Sequence, residues 1–366
     1  MRRFSRVSVE RACAWIDEAT ASLAPEDVFL EGAAGRVLGA DLRAAEAIPA
    51  ADCAAIDGFA VSAAASLGAG TYNPLTIAAI AIGAGEPMPP GTDAVVPAEQ
   101  AEPDGSGHIE LIESVASEAN VDRRGAVAEA GATLLVAGTC LTPRHLGLAG
   151  LAGVTGIAVV RRPRVRLVIG GQPRSGANEG NRLMLHALIA RDGGVVIEAS
   201  LAQAFGSGAD IIVLAGSGGE EQLASAVGSA ASLDIHGVAL IPGETAGFGR
   251  TANGTPALVL PAGPVGCLWN YELFARRAIR RLGGREPALP YDRRQVTTAR
   301  KIVSPIGMTE ICPIRRLSDG RVEPSGSFVE TGLRAAVAAD GFIIVPAQSE
   351  GYPAGASVSA YFYRKC

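Results

Sequence analysis

Apolar residues at positions 9, 12, 13, 16 and 19 repeat at helical spacing, so a helix is predicted over 9–21, with Ser8 placed to cap it. After Pro49 the period changes. Short runs of β character at 75–82, 94–97 and 108–112 are separated by Gly and Pro clusters, and EPDGSGHIE (102–110) reads as a hairpin connection. A small β domain inserted between two helical or extended pieces follows from that texture. From Arg164 continuous apolar runs alternate with helical stretches. Strands are expected at 165–170, 195–200, 211–215, 237–242 and 257–261, and helices at 181–191, after the GSGG at 216–219, and over 269–282. Unbroken apolar strands alternating with helices indicate a parallel sheet covered on both faces. Beyond Pro290 the pattern is β again, at 302–303, 310–317, 341–345 and 357–363, with a short helix near 333–339.

In a sheet of this kind ligands bind at the loops leaving the carboxyl ends of the strands. Those loops are 170–178, 200–204, 216–222, 243–250 and 262–266. Gly216-Ser217-Gly218-Gly219 lies between a strand and an expected helix start, where free backbone N–H groups and the helix dipole favour an anion. It has neither the Gly-Lys-Ser/Thr of a nucleotide P-loop nor the dinucleotide GxGxxG. A plain strand-to-helix turn and an anion site both remain open for it, as they do for Gly170-Gly171-Gln172. His108, His145, His186 and His236 stand apart from one another and from any cluster at metal-ligand spacing, so no metal site is expected. No GxSxG nucleophile elbow occurs. Trp269 and Tyr271 read as packing residues.

Composition narrows the classes. At 366 residues the chain exceeds the size at which a single core stops growing, so two to four domains are expected. A net charge of −5 offers no attraction for nucleic acid or for an anionic membrane. The longest apolar stretch, 146–160, is Gly-rich and too short to span a bilayer, and no apolar run of a signal peptide follows the basic start. Six cysteines without CxxC pairs support neither zinc nor a disulfide framework, and a cytoplasmic setting is expected. Lysine occurs only at 301 and 365, which excludes any mechanism that needs one within residues 1–300.

Four segments, in order, resemble the MoeA and gephyrin E-domain family of molybdopterin molybdotransferases. They are IPAADCAAIDGFAV (48–61), GEPMPPGTDAVVPAEQAE (85–102), the long stretch 121–168, and AVAADGFIIVPA (336–347). Asp57 and Gly58 match the core of the first, with Phe59 where the family has Tyr. The resemblance implies a multi-domain α/β plus β protein around a central doubly wound, mostly parallel sheet of molybdopterin-binding type. Its parts are an elongated domain (1–47 with 122–160), an inserted β domain (48–121), the doubly wound domain (161–287) and a small C-terminal β domain (288–366). It also implies a homodimer, a pterin or nucleotide ligand (molybdopterin or adenylylated molybdopterin), Mg²⁺, and dealings with a molybdoenzyme or another cofactor-biosynthesis protein. The family's reaction cleaves the adenylate and leaves molybdenum on the dithiolene. The central domain also resembles that of competence-damage-type nucleotide hydrolases.

The chain departs from the family where charge is needed. The Thr-Gly-Asp-Glu-Leu loop falls on 169–173, where Gly171 and Gln172 replace both carboxylates. The Ser-Gly-Gly loop falls on 215–220, shortened and ending at Glu220 without the family's Asp; Lys-Pro-Gly-Lys-Pro becomes Ile241-Pro242-Gly243-Glu244-Thr245, without either lysine. Leu-Pro-Gly-Asn-Pro becomes Leu260-Pro261-Ala262-Gly263-Pro264, a threonine position reads Ala84, a serine aligns with Thr331, and an arginine position reads Pro313. A unit charge about 4 Å from an anion is worth roughly 4 kcal/mol at an effective dielectric near 20, so Glu244 at a lysine position reverses that contribution. The resemblance thus points to Asp57, Gln172 and Glu220 as what remains of a catalytic set. Gly58, Gly170, Gly171, Gly216, Ser217, Gly218, Gly219, Pro242, Gly243, Pro261 and Thr331 would hold the cofactor. Glu221 would pair with Glu220 if a carboxylate site were rebuilt, and Arg174, Arg182 or Arg250 are substitute anion clamps. The expected function is a MoeA-like protein that binds molybdopterin or its adenylate with degenerate catalytic loops. The alternatives are an active molybdotransferase and a scaffold or chaperone for a molybdoenzyme.

Overall fold

The computed structural model describes residues 6–171, 176–216, 231–326 and 332–363. The chain divides into two compact units, Met1–Glu26 with Gly35–Val37 and Val160–Cys366, and Asp27–Ala34 with Leu38–Val159.

The larger unit is built on two six-stranded sheets. The first runs in the order Val195–Ala199, Arg164–Ile169, Ile211–Ala215, Pro256–Val259, Gly247–Thr251, Ala231–His236. Its first four strands are parallel, Gly247–Thr251 runs antiparallel to them, and Ala231–His236 pairs antiparallel with Gly247–Thr251. Alternate residues of the parallel strands feed two cores, as a sheet buried on both faces requires. Val165, Leu167, Ile211, Val213 and Leu258 face the helices; Val168, Ile212, Leu214, Ala257 and Val259 pack on the other side against Ala204 and Phe205. The helix Val9–Ala19 joins the first core through Trp15 and Ile16, and its start is fixed by Ser8, whose Oγ accepts from Arg11 N at 3.2 Å. The helix expected over 269–282 begins earlier, at Pro264, and passes through a π-helical turn at Tyr271–Ala275 before finishing at Leu282. Trp269 and Tyr271 are buried, Trp269 edge-on to Phe342 with ring centroids 4.6 Å apart.

One strand lies elsewhere than the sequence pattern placed it. The apolar run at 237–242 supplies Leu240–Ile241, not to the parallel sheet but to the second sheet, as a parallel edge strand with Leu240 beside Thr309 and Ile241 beside Glu310. Its place in the first sheet is taken by Ala231–His236 and Gly247–Thr251. Neither is a continuous apolar run: the latter reads GFGRT, with glycines at alternate positions. The second sheet continues through Thr309–Arg316, Gly341–Val345, Ser357–Phe362 and Asp292–Thr297, with Val322–Pro324 as its sixth strand, paired to Thr309–Arg316. Asp292–Thr297 is charged and almost wholly exposed, an edge strand that hydrophobic periodicity cannot reveal.

In the smaller unit, Ile80–Ile82, Gly58–Val61 and Ala94–Pro97 form one three-stranded sheet, and Leu75–Ala78, His108–Leu111 and Glu102–Pro103 another. The expected hairpin is there: Glu102–Pro103 pairs antiparallel with His108–Leu111. Val61, Ala94, Val96, Ile109 and Leu111 close one core of this unit, and Leu38, Leu141, Ile157 and Val159 another. Among the described residues no helix is long and apolar enough to cross a membrane.

Candidate functional site

The carboxyl ends of the parallel strands bring two groups of the expected residues together. Gly170 closes the first strand, its N–H donating to Ala215 O at 2.7 Å, and Gly171 follows it into the open. Gly216 leaves the next strand at φ +117°, so close to Gly170 that a Cβ there would lie 2.6 Å from Gly170 O and 3.1 Å from Asn178 Oδ1. The second group is Gly243 with Pro261. Gly243 has φ +112°, and a Cβ on it would meet Asn270 Nδ2 at 2.1 Å. Gly266, which follows, packs against both Pro261 and the Gly243 backbone.

Three buried asparagines stand behind these loops, and the sequence pattern did not single them out. Asn178 and Asn181 sit in the first turns of the helix Gly176–Arg191. Asn181 Nδ2 donates to Ala262 O at 2.9 Å, and Asn270 Nδ2 donates to both Gly243 O (2.9 Å) and Gly266 O (2.8 Å). Such side-chain bonds lock loop backbone in place of a secondary-structure ladder. Among the described residues the buried amide oxygens of Asn181 and Asn270 meet no hydrogen-bond partner. A polar residue inside an amphipathic helix was the available signal, but many such residues only satisfy a neighbouring carbonyl.

Pro242 opens onto a cavity of about 340 Å³ lined by the end of the edge strand Leu240–Ile241 and by residues of 301–303 and 310–313. Among the described residues its charged lining is Lys301 and Glu310; Pro313 and Pro324 are apolar lining residues. Lys301 is one of the two lysines of the sequence and lies just past the lysine-free stretch 1–300. The parallel pairing of Leu240–Ile241 with Thr309–Arg316 is what carries this loop to the cavity.

The charges at the family's lysine and clamp positions are already engaged. Glu244 Oε2 lies 2.7 Å from Arg6 Nη2, both side chains about half exposed, so the reversed charge is matched locally. Arg182 is held by Glu179 (2.7 Å) and Glu198 (2.9 Å), and Glu198 also contacts His186 at 2.6 Å. Arg182 first, then His186, keep the Glu198 carboxyl below the usual carboxylate range. Arg250 lies over the face of Trp15, 5.2 Å from the ring centroid, a cation–π contact. Neither arginine is an uncommitted anion clamp. Asp57 and Gly58 lie in the smaller unit. Asp57 is exposed and its Oδ1 accepts from Ala84 N at 2.7 Å, while Glu86 Oε2 accepts from Gly83 N at 3.0 Å, so both carboxylates brace one turn. Gly58 is buried in its strand between Ile82 and Pro97. Gln172, Arg174, Ser217, Gly218, Gly219, Glu220, Glu221 and Thr331 fall outside the described residues. Among the described residues no three His, Cys, Asp or Glu side chains come together as metal ligands.

Comparison with known proteins gives consistent matches. Residues 7–153 match the family model for the MoeA N-terminal region (domain I and II), and residues 295–363 that for the MoeA C-terminal region (domain IV). Molybdopterin molybdenumtransferase 2 of Mycobacterium tuberculosis is 29% identical over 390 aligned positions, which cover 92% of this chain and 95% of that protein. Molybdopterin molybdenumtransferase 1 of the same organism is 25% identical, covering 82% of each. The molybdopterin biosynthesis MoeA protein of Pyrococcus horikoshii superposes with a TM-score of 0.76 at 22% identity, covering 99% of this chain and all of that one, a likeness of fold.

Proposed function

The chain belongs to the MoeA family, and from that premise we propose that it serves molybdenum cofactor biosynthesis by binding molybdopterin or its adenylate, with the family's metal-inserting chemistry weakened. The observation that carries this reading is the Arg6–Glu244 pair. At a position where the resemblance implies a free lysine, the chain offers an acid whose charge is already neutralised. The close backbone approaches at Gly216 (to Gly170) and at Gly243 remain, backed by buried asparagines. Preorganised backbone supports binding, whereas acceleration needs fixed charge aimed at the reacting phosphate. Mg²⁺ would supply such charge in the family's chemistry. The described residues offer it no cluster of carboxylates. A homodimer in the cytoplasm is part of the proposal.

A second reading, a working molybdotransferase that inserts molybdate with release of AMP, is supported by the near full-length match to molybdopterin molybdenumtransferase 2. One assay separates the two. The protein is mixed with adenylylated molybdopterin, Mg²⁺ and molybdate, while calorimetry follows binding and chromatography follows AMP. Binding with little AMP is the expected result. Brisk, magnesium-dependent AMP release would establish the second reading instead, and failure to bind pterin or nucleotide would leave only a scaffold role.

A further inference from the structure

A recess of about 10 Å³ opens at the amino end of the parallel sheet. Pro163, which lines it, directly precedes the strand Arg164–Ile169, and Gly193 lies two residues before Val195–Ala199. Gly170 leaves the other end of the first of these six-residue and five-residue strands, about 20 Å away at roughly 3.3 Å per residue. Among the described residues the lining holds four arginines, Arg36, Arg161, Arg162 and Arg285, against one acid, Asp192. That acid is already engaged. Its Oδ2 accepts from Arg191 Nη2 at 2.7 Å and from Tyr271 Oη at 3.1 Å, and its Oδ1 from Arg280 Nη1 at 3.4 Å. Two of the arginines have acids of their own, Arg36 with Glu26 and Arg161 with Asp210 at 2.7 Å. Arg285 donates to Arg191 O at 3.5 Å, where the negative end of the helix Gly176–Arg191 favours a cation. Arg162 has no such account: it is exposed, and among the described residues it meets no carboxylate. Arg36 adds an unused donor. Its side chain is 8% exposed, with Nε and Nη2 donating to Val160 O at 3.3 and 3.0 Å and Nη2 also to Glu26. Nη1 makes no hydrogen bond among the described residues. A buried guanidinium nitrogen without an acceptor is costly, and a recess of this size takes one water or one oxygen of a ligand. The surplus of positive charge in the lining decides for the oxygen of an anion.

We propose that this recess is an oxyanion site: one oxygen of a phosphate, a sulfate or a terminal phosphoryl group accepts from Arg36, and the oxygens left outside meet Arg162. The forked N–H groups of guanidinium match the oxygens of such an anion. The volume admits no ring, so recognition stops at the tetrahedral group itself. The site is separate from the glycine loops and does not rest on the pterin-binding reading. Loss of pterin binding would leave it standing.

The test titrates the full chain by calorimetry with inorganic phosphate, ribose 5-phosphate and sulfate, and with chloride and acetate at matched ionic strength. The tetrahedral anions are expected to bind, and chloride and acetate to bind far more weakly. Tighter binding of ribose 5-phosphate than of phosphate would point to a phosphoryl ester as the natural occupant, and the reverse order to the free ion. R162M should weaken phosphate by roughly three- to tenfold. R144M, which removes an equal charge from an exposed position of the smaller unit, should leave it unchanged. Phenylglyoxal labelling with peptide mass spectrometry then locates the anion: phosphate should protect Arg162 and leave Arg144 as reactive as before. Labelling uses the unaltered chain, so it decides the matter even if R162M melts early. Phosphate held no better than chloride, wild-type affinity in R162M, equal weakening in R144M, or no protection of Arg162 would each overturn the proposal.

Discussion

Arg191 grips Glu272 with both arms of its guanidinium, Nη1 to Oε1 at 2.8 Å and Nη2 to Oε2 at 3.1 Å. Arg191 ends the helix Gly176–Arg191, and Glu272 lies in the π-helical turn Tyr271–Ala275. Tyr291 Oη donates to Glu272 Oε1 at 2.6 Å, which ties in the segment that leads to the second sheet. Asp192 extends the group, held by Arg191 at 2.7 Å and accepting from Tyr271 Oη at 3.1 Å. Both acids are 1% exposed. Burial is the main cause that pushes the Tyr271 and Tyr291 hydroxyls above their ordinary range, with the neighbouring acids adding to it. Removing one partner of a buried pair leaves the other charge uncompensated, at about 3–5 kcal/mol. E272A is therefore expected to lower the unfolding free energy by that amount in urea titrations. A loss under about 1 kcal/mol would show that water or a neighbour takes over Glu272's role.

Gly243 is predicted to tolerate no side chain. Its φ of +112° disfavours any L residue, and an added Cβ would lie 2.1 Å from Asn270 Nδ2, inside van der Waals contact. G243A should cost about 2–4 kcal/mol and displace the Asn270 amide from two carbonyls. N270A in the same chain removes the clash but not the backbone strain, so the double variant should recover part of the loss and not all. Denaturant midpoints of the two single variants and the double variant measure the coupling. Simple additivity would mean that the contact is not the source of the cost.

Much of the fold was legible because its strands are buried on both faces. Arg164–Ile169, Ile211–Ala215 and Pro256–Val259 appear in the sequence as unbroken apolar runs, and the cap at Ser8 was readable from one hydroxyl. Periodicity could not tell which sheet a run joins. Leu240–Ile241 has the apolar texture of the parallel strands but pairs with Thr309–Arg316, because pairing is decided by distant residues. The site was legible where backbone sets it, as at Gly216 and Gly243, whose positive φ needs glycine. It was hidden where it depends on partners. Nothing in the sequence pairs Arg6 with Glu244 or Arg182 with Glu179 and Glu198, and Lys301 and Glu310 line one cavity from different strands through tertiary packing alone.

Thiol chemistry should sort the cysteines by burial. Burial pushes Cys13 up to about 11, and Cys267 and Cys312 up to about 12. At pH 8 their thiolate fractions are on the order of one in a thousand or less, and the thiolate is the nucleophile. Cys140 is exposed. Iodoacetamide at pH 8, followed by peptide mass spectrometry, should label Cys140 well before Cys13, Cys267 or Cys312. Early labelling of Cys312 would mean that the cavity wall opens to reagent in solution.

Asp17 links the first helix to the helix Arg276–Leu282 through its carboxylate, with Oδ1 accepting from Arg277 Nε at 2.8 Å and Oδ2 from Arg277 Nη2 at 2.6 Å. Arg281 Nε lies 3.2 Å from Oδ1. The hydrogen bond from Arg277 is the main cause that holds this carboxyl below its ordinary value of 3.8, against a smaller opposing effect of burial. A carboxyl depressed in the folded state binds fewer protons there than in the unfolded chain near that pH, so its stabilisation is present above the unfolded value and disappears as pH falls through the folded one. The side chain is about one-third exposed, and solvent screens the pair to about 1 kcal/mol. D17N should therefore be less stable than wild type at pH 7 by about that much, with the gap unchanged down to about pH 5 and closing toward pH 2. Urea midpoints for both proteins at pH 7, 5, 3 and 2.5 test the sign directly. A gap that widened on acidification would show that the carboxyl is raised on folding and that Arg277 does not set its charge.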